Sequence, residues 1–425
     1  MKRNGIVKNL AKIGAISLIS ALTSQAFASG YKLEFQSPAV IADSGEAAVV
    51  EDAGTNWYNA AGLVYLPQQL VAAGTEIFSA TSFSGNEVAP KSPFLPGTTF
   101  SQTGSASSHP HSFLPAFHYN WPFLCRYAFG LSVVPAWGLL EDYGVSSMVR
   151  YNIDRVYTKT IDISPSLAMM INDHWSVGLG PDYHYFALML KSQVNTSPLG
   201  DSEARYTASN WNLGGHAGIL YRIDDATRVG LNYRTKIVMN LNGYSDFAGL
   251  AGTAGTSNFY LPVNLPPTTT LSIYRDITCA WALMGTLSYD QWSVLRDYHA
   301  RNVASPTGPV ANLVLPQSLA NTVDVGIGTH YTLNDRWMLR GNVKFEPTPT
   351  TNYYRGLAFP DGQKLGFQVG ARYTMNKHIA LDGVYGHVFV KHAGIHDYNP
   401  STAALATGTV HTAIDLVGAQ VVWTI

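Results

Sequence analysis

Residues 227–241 alternate in character. Val229, Leu231, Tyr233, Ile237 and Met239 fall on one side, and Arg228, Gly230, Asn232, Arg234, Lys236 and Asn240 on the other. A period of two marks a strand whose faces meet different surroundings. The pattern recurs: Trp175, Val177, Leu179, Tyr183 and Tyr185 oppose Ser176, Gly178, Gly180, Asp182 and His184, and Leu365, Phe367, Val369, Ala371 and Tyr373 oppose Gly366, Gln368, Gly370 and Arg372. The polar face is rich in glycine, as a barrel lumen is. Only 13% of the residues are charged, against about 25% in ordinary soluble proteins. Yet no apolar run beyond residue 28 approaches the ~18 residues of a spanning helix. In lipid only helices and closed barrels satisfy their backbones, so the sequence predicts an all-β chain forming a transmembrane antiparallel β-barrel.

The amino terminus agrees with export. Lys2, Arg3, Lys8 and Lys12 precede an apolar run over 13–22, and Ala26-Phe27-Ala28 offers small residues for cleavage, so 1–28 reads as a secretory signal peptide. Its loss changes the formal charge from −1 to −5, with 23 basic against 28 acidic residues. A nucleic-acid partner is not expected of such a chain. An export signal ahead of a strand-built membrane protein points to the outer membrane. Cys125 and Cys279 fit one disulfide or two free thiols.

Connections alternate in length. Asn172-Asp173, Asp224-Asp225, Asn334-Asp335 and Asn376-Lys377 are residue types of tight turns, with further turns expected near Pro122 and Arg126 and near Arg275 and Ala280. Long polar stretches separate them at 81–110, 138–155, 192–205, 242–267, 302–319, 348–362 and 393–408. Short periplasmic turns and long external loops divide residues 67–425 into about fourteen strands. Trp121, Trp175, Trp281, Trp337 and Trp423 stand beside tight turns, where aromatics anchor a barrel at the lipid interface.

Residues 29–66 have a different character. Small residues dominate, acids stand at Asp43, Glu46, Glu51 and Asp52, and Gly45, Gly54 and Gly62 break any long element. A compact plug, or hatch, inside the lumen fits this composition, with Asp52, Asn56, Asn59, Ala60 and Ala61 as its marker positions.

The mature chain resembles the FadL-type long-chain fatty acid transporters of Gram-negative outer membranes. The resemblance rests on the plug, on Ile163-Ser164-Pro165-Ser166-Leu167-Ala168 followed by residues 175–180, on residues 228–234, on Tyr289-Asp290-Gln291-Trp292-Ser293, and on residues 337–349. The family's plug usually closes on Asn-Pro-Ala, which here is Asn59-Ala60-Ala61, without the proline that would fix one backbone angle. The resemblance implies a monomeric barrel that captures a long-chain fatty acid or other hydrophobic small molecule among its outer loops. It further implies passage to a pocket above the plug and lateral release into outer-membrane lipid at a kinked third strand.

The residues offer candidates for each step. Phe94, Leu95, Phe247, Leu250, Phe259, Tyr260 and Leu261 would form a capture groove or pack one loop on another. Arg228, Arg234, Lys236, Arg340, Lys344 and Arg372 would grip a carboxylate or neutralise lumen acids. Gly130 and Pro135 lie in the third strand, predicted over 126–136, where Pro135 either opens the sheet or merely ends it. An aromatic-hydrocarbon channel on the same scaffold, then a general diffusion porin, are the alternatives. No G-x-S-x-G occurs and His109-Pro-His111 lacks nearby ligands, so neither an enzyme, a cofactor nor a metal centre is expected.

Overall fold

The computed structural model describes residues 30, 32–90, 99–197, 199–249, 252–305 and 308–425. The signal peptide and the groove candidates Phe94, Leu95 and Leu250 lie outside these residues.

Among the described residues, fourteen strands form the wall: β1 (Gln69–Pro90), β2 (His111–Phe123), β3 (Tyr127–Val134), β4 (Arg155–Met170), β5 (Trp175–Asn195), β6 (Asp201–Arg222) and β7 (Thr227–Arg234), then β8 (Thr268–Asp276), β9 (Trp281–Asp290), β10 (Thr322–Thr332), β11 (Trp337–Glu346), β12 (Lys364–Asn376), β13 (Ile379–Val390) and β14 (Ala404–Thr424). Each pairs antiparallel with the next. β14 returns to β1 from Gln69↔Thr424 to Val88↔Leu405, which closes the ring. Further strands, such as Ile237–Gly249 and Gly252–Leu265, extend the wall into the long connections.

Alternation sets the faces. Leu179, Leu213, Ile273, Leu287 and Ile327 are exposed on the outer surface, while Asp182, Asp324 and Asn232 are buried inside. Trp121, Trp175, Trp281, Trp337 and Trp423 are exposed beside the tight turns. Cys125 and Cys279 occupy two different turns as free, exposed thiols and do not pair.

One stretch departs from the predicted facing. β7 stops at Arg234, and Thr235 and Lys236 belong to no strand before Ile237 begins the next. Gly215 N–H donates to Thr235 Oγ1 at 3.0 Å and Thr235 N–H to Gly215 O at 2.9 Å. The pairing resumes one position out of phase, and a one-residue slip turns every following side chain to the other face. Ile237 and Met239 therefore point inward and are buried, whereas Lys236 and Asn240 are exposed. Lys236 is thus not a lumen cation.

Candidate functional site: the plug clamp and the pocket above it

Residues 32–66 fill the lumen. Ser37 caps α1 (Pro38–Asp43), and Ser44 ends it in a left-handed conformation at φ 57°. After a turn carrying Glu46 and Glu51 come α2 (Thr55–Tyr58) and a 3-10 helix at Ala60–Tyr65. Asn59 supplies what the absent proline does not: its Oδ1 accepts from Ala61 N–H at 3.1 Å, and its Nδ2 donates to Ala47 O and Ile219 O. Asn56 Nδ2 donates to Ser132 Oγ at 2.8 Å and Ser164 O at 3.0 Å. Ala60 and Ala61 are fully buried. The fit needs inward glycines. A side chain at Gly230 would collide with Ala47 O, and one at Gly328 with Asp43 O.

Most inward cations hold the plug. Arg340 donates from Nη1 to Asp43 Oδ2 at 2.8 Å and from Nη2 to Glu51 Oε2 at 2.5 Å. Arg372 donates to Asp52 Oδ2 at 3.0 Å and to both oxygens of Asp382. Gln420 also donates to Asp52 Oδ2, at 2.8 Å. Lys344 pairs with Glu34 and Glu46. Arg228 donates to Ala48 O at 2.6 Å and stacks on Tyr274. These groups act as a clamp that pairs buried charges between wall and plug.

Arg234 also contacts the plug, and it borders a pocket shared with Lys32. Leu33, Trp57, Tyr58, Ala136, Trp137 and Ile237 line the apolar part of this space, and Lys32, Glu46, Arg234 and Thr268 the polar part. Arg234 lies 3.5 Å over the Trp57 ring and donates to Asp182 Oδ2 and Trp57 O. Lys32 pairs with Glu34 and Asp290. Burial, partly opposed by Lys32, pushes the Glu46 carboxyl up to about 7. Local sequence gave no signal for Lys32, Trp57 or Trp137, because nothing links them before the barrel closes.

Above the pocket the wall is apolar on its inner face. Phe247, Phe259 and Leu261 are buried among Met239, Leu241, Val263 and Leu265, in the same hydrophobic cluster as Leu33, Trp57 and Trp137. They therefore line the interior and do not form an open outer groove. Tyr260 points the other way, donating to Asn240 Oδ1 at 2.8 Å.

The third strand ends early. Val134 is the last paired residue of β3, opposite Asp162, and the chain then turns inward. Pro135 O accepts from Gln36 Nε2 at 3.0 Å and Ala136 O from Leu33 N–H at 2.9 Å. Residues 111–116 of β2 pair with β1 only, and β3 begins pairing at Phe117. The sheet is thus interrupted between β2 and β4 beside the pocket-lining Ala136 and Trp137. Gly130 does not bend β3; it stays in register with Asn120 and Ser166, and its missing side chain admits Asn56.

Ser166, His216 and Asp182 hydrogen-bond in the order of a hydrolase triad, with Ser166 Oγ to His216 Nε2 at 2.8 Å and His216 Nδ1 to Asp182 Oδ1 at 2.7 Å. Asp182 is also held by Arg234 and Ser164, and neither Ser166 nor His216 borders the pocket. The relay stiffens the wall.

A closed strand ring, a lipid-matched outer face and a clamped plug under an apolar pocket define an integral outer-membrane transport barrel for hydrophobic compounds. Residues 19–424 match the outer membrane protein transport protein family (OMPP1/FadL/TodX), and the chain belongs to it. It is a transporter and not an enzyme. It is 24% identical over 396 residues to a long-chain fatty acid transport protein of Salmonella typhi, covering 86% of this chain and 88% of that one. A Pseudomonas aeruginosa FadL homologue superposes with a TM-score of 0.82 at 18% identity, covering 93% and 99% of the two chains. The Pseudomonas putida toluene transporter TodX gives 0.69 at 14% identity, covering 93% and 99%.

Proposed function

We propose that this chain carries long-chain fatty acids across the outer membrane and releases them sideways through the interruption beside β3. The observation behind this reading is the pocket itself, where Arg234 and Lys32, each paired with an acid, border a cavity whose apolar side is formed by Leu33, Trp57, Trp137 and Ile237. An amphipathic ligand matches that pairing of cations with apolar surface, since a guanidinium binds a carboxylate through two hydrogen bonds. A monoaromatic hydrocarbon has no use for the cations. Each buried methylene contributes about 0.8 kcal/mol, so exit into lipid keeps the tail out of water. The similarity to the Salmonella typhi fatty acid transport protein supports the same reading.

Uptake of labelled oleate by Gram-negative cells lacking their own fatty acid transporter is the test. The chain should restore uptake, and Arg234→Gln should lower it with the barrel still assembled. Restored toluene entry without oleate uptake would overturn the fatty acid assignment. Filling the interruption with Ala136→Phe, at its border with the pocket, should slow release with the barrel still assembled.

A further inference from the structure

The geometry points to a binding site for one divalent transition-metal ion between plug and wall, formed by Asp43, Glu51 and His330. Asp43 ends α1, Glu51 lies in the plug turn that follows, and His330 projects inward from β10. One ligand atom from each residue lies within 4.8 Å of the others. His330 Nδ1 is 3.2 Å from Glu51 Oε1 and 3.9 Å from Asp43 Oδ1. Asp43 and His330 are more than nine-tenths buried, and Asp43 Oδ1, Glu51 Oε1 and His330 Nδ1 all lack a hydrogen-bond partner.

The surrounding bonds aim these three atoms at one another. Arg340 occupies Asp43 Oδ2 and Glu51 Oε2, which leaves Oδ1 and Oε1 facing the imidazole. Tyr274 donates its single proton to Asp276 Oδ1 at 2.8 Å, so at 3.1 Å from His330 Nε2 its oxygen accepts. When neutral, the imidazole carries its proton on Nε2 and presents the Nδ1 lone pair to the two carboxylates. A phenol oxygen that fixes the far nitrogen of the ring is the arrangement that metal-bound histidines use.

Charge favours the same occupant. Asp43, Glu51, Asp52 and Asp382 face Arg340 and Arg372 in one network, which leaves two negative charges unmatched. Arg228, stacked on Tyr274, adds one positive charge nearby. A divalent ion offsets the excess of acids. One imidazole and two carboxylates suit zinc, cobalt or manganese better than calcium, which takes six to eight oxygens. Donors at ~2.1 Å from a tetrahedral ion stand about 3.4 Å apart, which requires only a short movement of Asp43 and Glu51. Bound there, the ion would tie the plug turn carrying Glu46 to the wall.

The test is cobalt titration of the purified, chelator-treated full barrel in detergent, read by visible absorption and by competition with zinc. A His411→Ala background removes the exposed His392–His411 pair, whose rings lie 4.4 Å apart, as a second binder. One tight equivalent is expected, lost in His330→Gln and weakened ~10–100-fold in Tyr274→Phe. Heat-modified gel migration confirms assembly, and Tyr274→Phe carries the test should His330→Gln fail to assemble. No tight equivalent in the starting protein, or affinity unchanged in an assembled variant, overturns the site.

Discussion

Arg340, in the wall, and Asp43, at the end of the first plug helix, meet through a 2.8 Å hydrogen bond with both side chains sealed from solvent. The same guanidinium reaches Glu51, so one wall residue fixes both ends of the plug turn. Removing one partner of a buried pair leaves the other uncompensated, at about 3–5 kcal/mol. Arg340→Met should therefore loosen the plug while the barrel, closed by backbone bonds, still assembles. Single-channel recordings should show higher or noisier ion conductance than the parent; silence equal to the parent would mean the clamp is not what retains the plug.

Gly328 makes a steric counterpart to that prediction. A side chain there would meet the Asp43 carbonyl oxygen. Gly328→Val should cost ~1–3 kcal/mol of plug docking and increase protease cleavage within residues 32–66. Gly383, which has open space around it, serves as the control, and Gly383→Ala should leave cleavage unchanged.

Leu231 and Asn232 report on facing. Leu231 is exposed on the outer surface and Asn232 is buried inside. Leu231→Arg near mid-bilayer should lower stability in lipid vesicles by ~2–4 kcal/mol, measured by denaturant unfolding, with Leu231→Phe near neutral. Equal midpoints for the two variants would place this position outside the hydrocarbon.

Glu141 lies in the short inward strand Leu140–Asp142 of the second external connection, where its Oε1 accepts from Thr81 Oγ1 at 2.9 Å. Burial pushes its carboxyl up to about 8. The folded state thus binds this proton more tightly than the unfolded one. The stabilisation is complete below the ordinary glutamate range and is lost as pH rises through about 8. Hydrogen exchange in residues 138–155 should therefore quicken between pH 6 and 9 beyond its intrinsic rise. Glu141→Gln, which keeps a neutral group, should remove that excess.

Backbone chemistry and side-chain period were legible before any tertiary contact. Strict alternation from Trp175 to His184, the Asn and Asp turns, and loops of alternating length define a two-faced sheet with fourteen members, because each of these signals is local. The glycines of the polar face were visible too, but not that Gly230 and Gly328 receive the plug backbone. Alternation failed where it was extended through Thr235 and Lys236, since the pairing there slips by one residue and turns the side chains that follow to the other face.

The site divides along the same line. That Arg228, Arg234, Arg340, Lys344 and Arg372 face the lumen follows from the period of the strand. Which of them clamps the plug and which borders the pocket depends on partners such as Asp43, Glu51, Asp182 and Trp57, brought across the lumen only when the ring closes. His330, Asp43 and Glu51 form no local pattern, so the sequence alone gave no reason to group them. The sequence determined the wall, because strand geometry is a property of neighbouring residues; only the tertiary structure decided the contents of the lumen, because those contacts are made between segments hundreds of residues apart, such as Asp52 and Gln420.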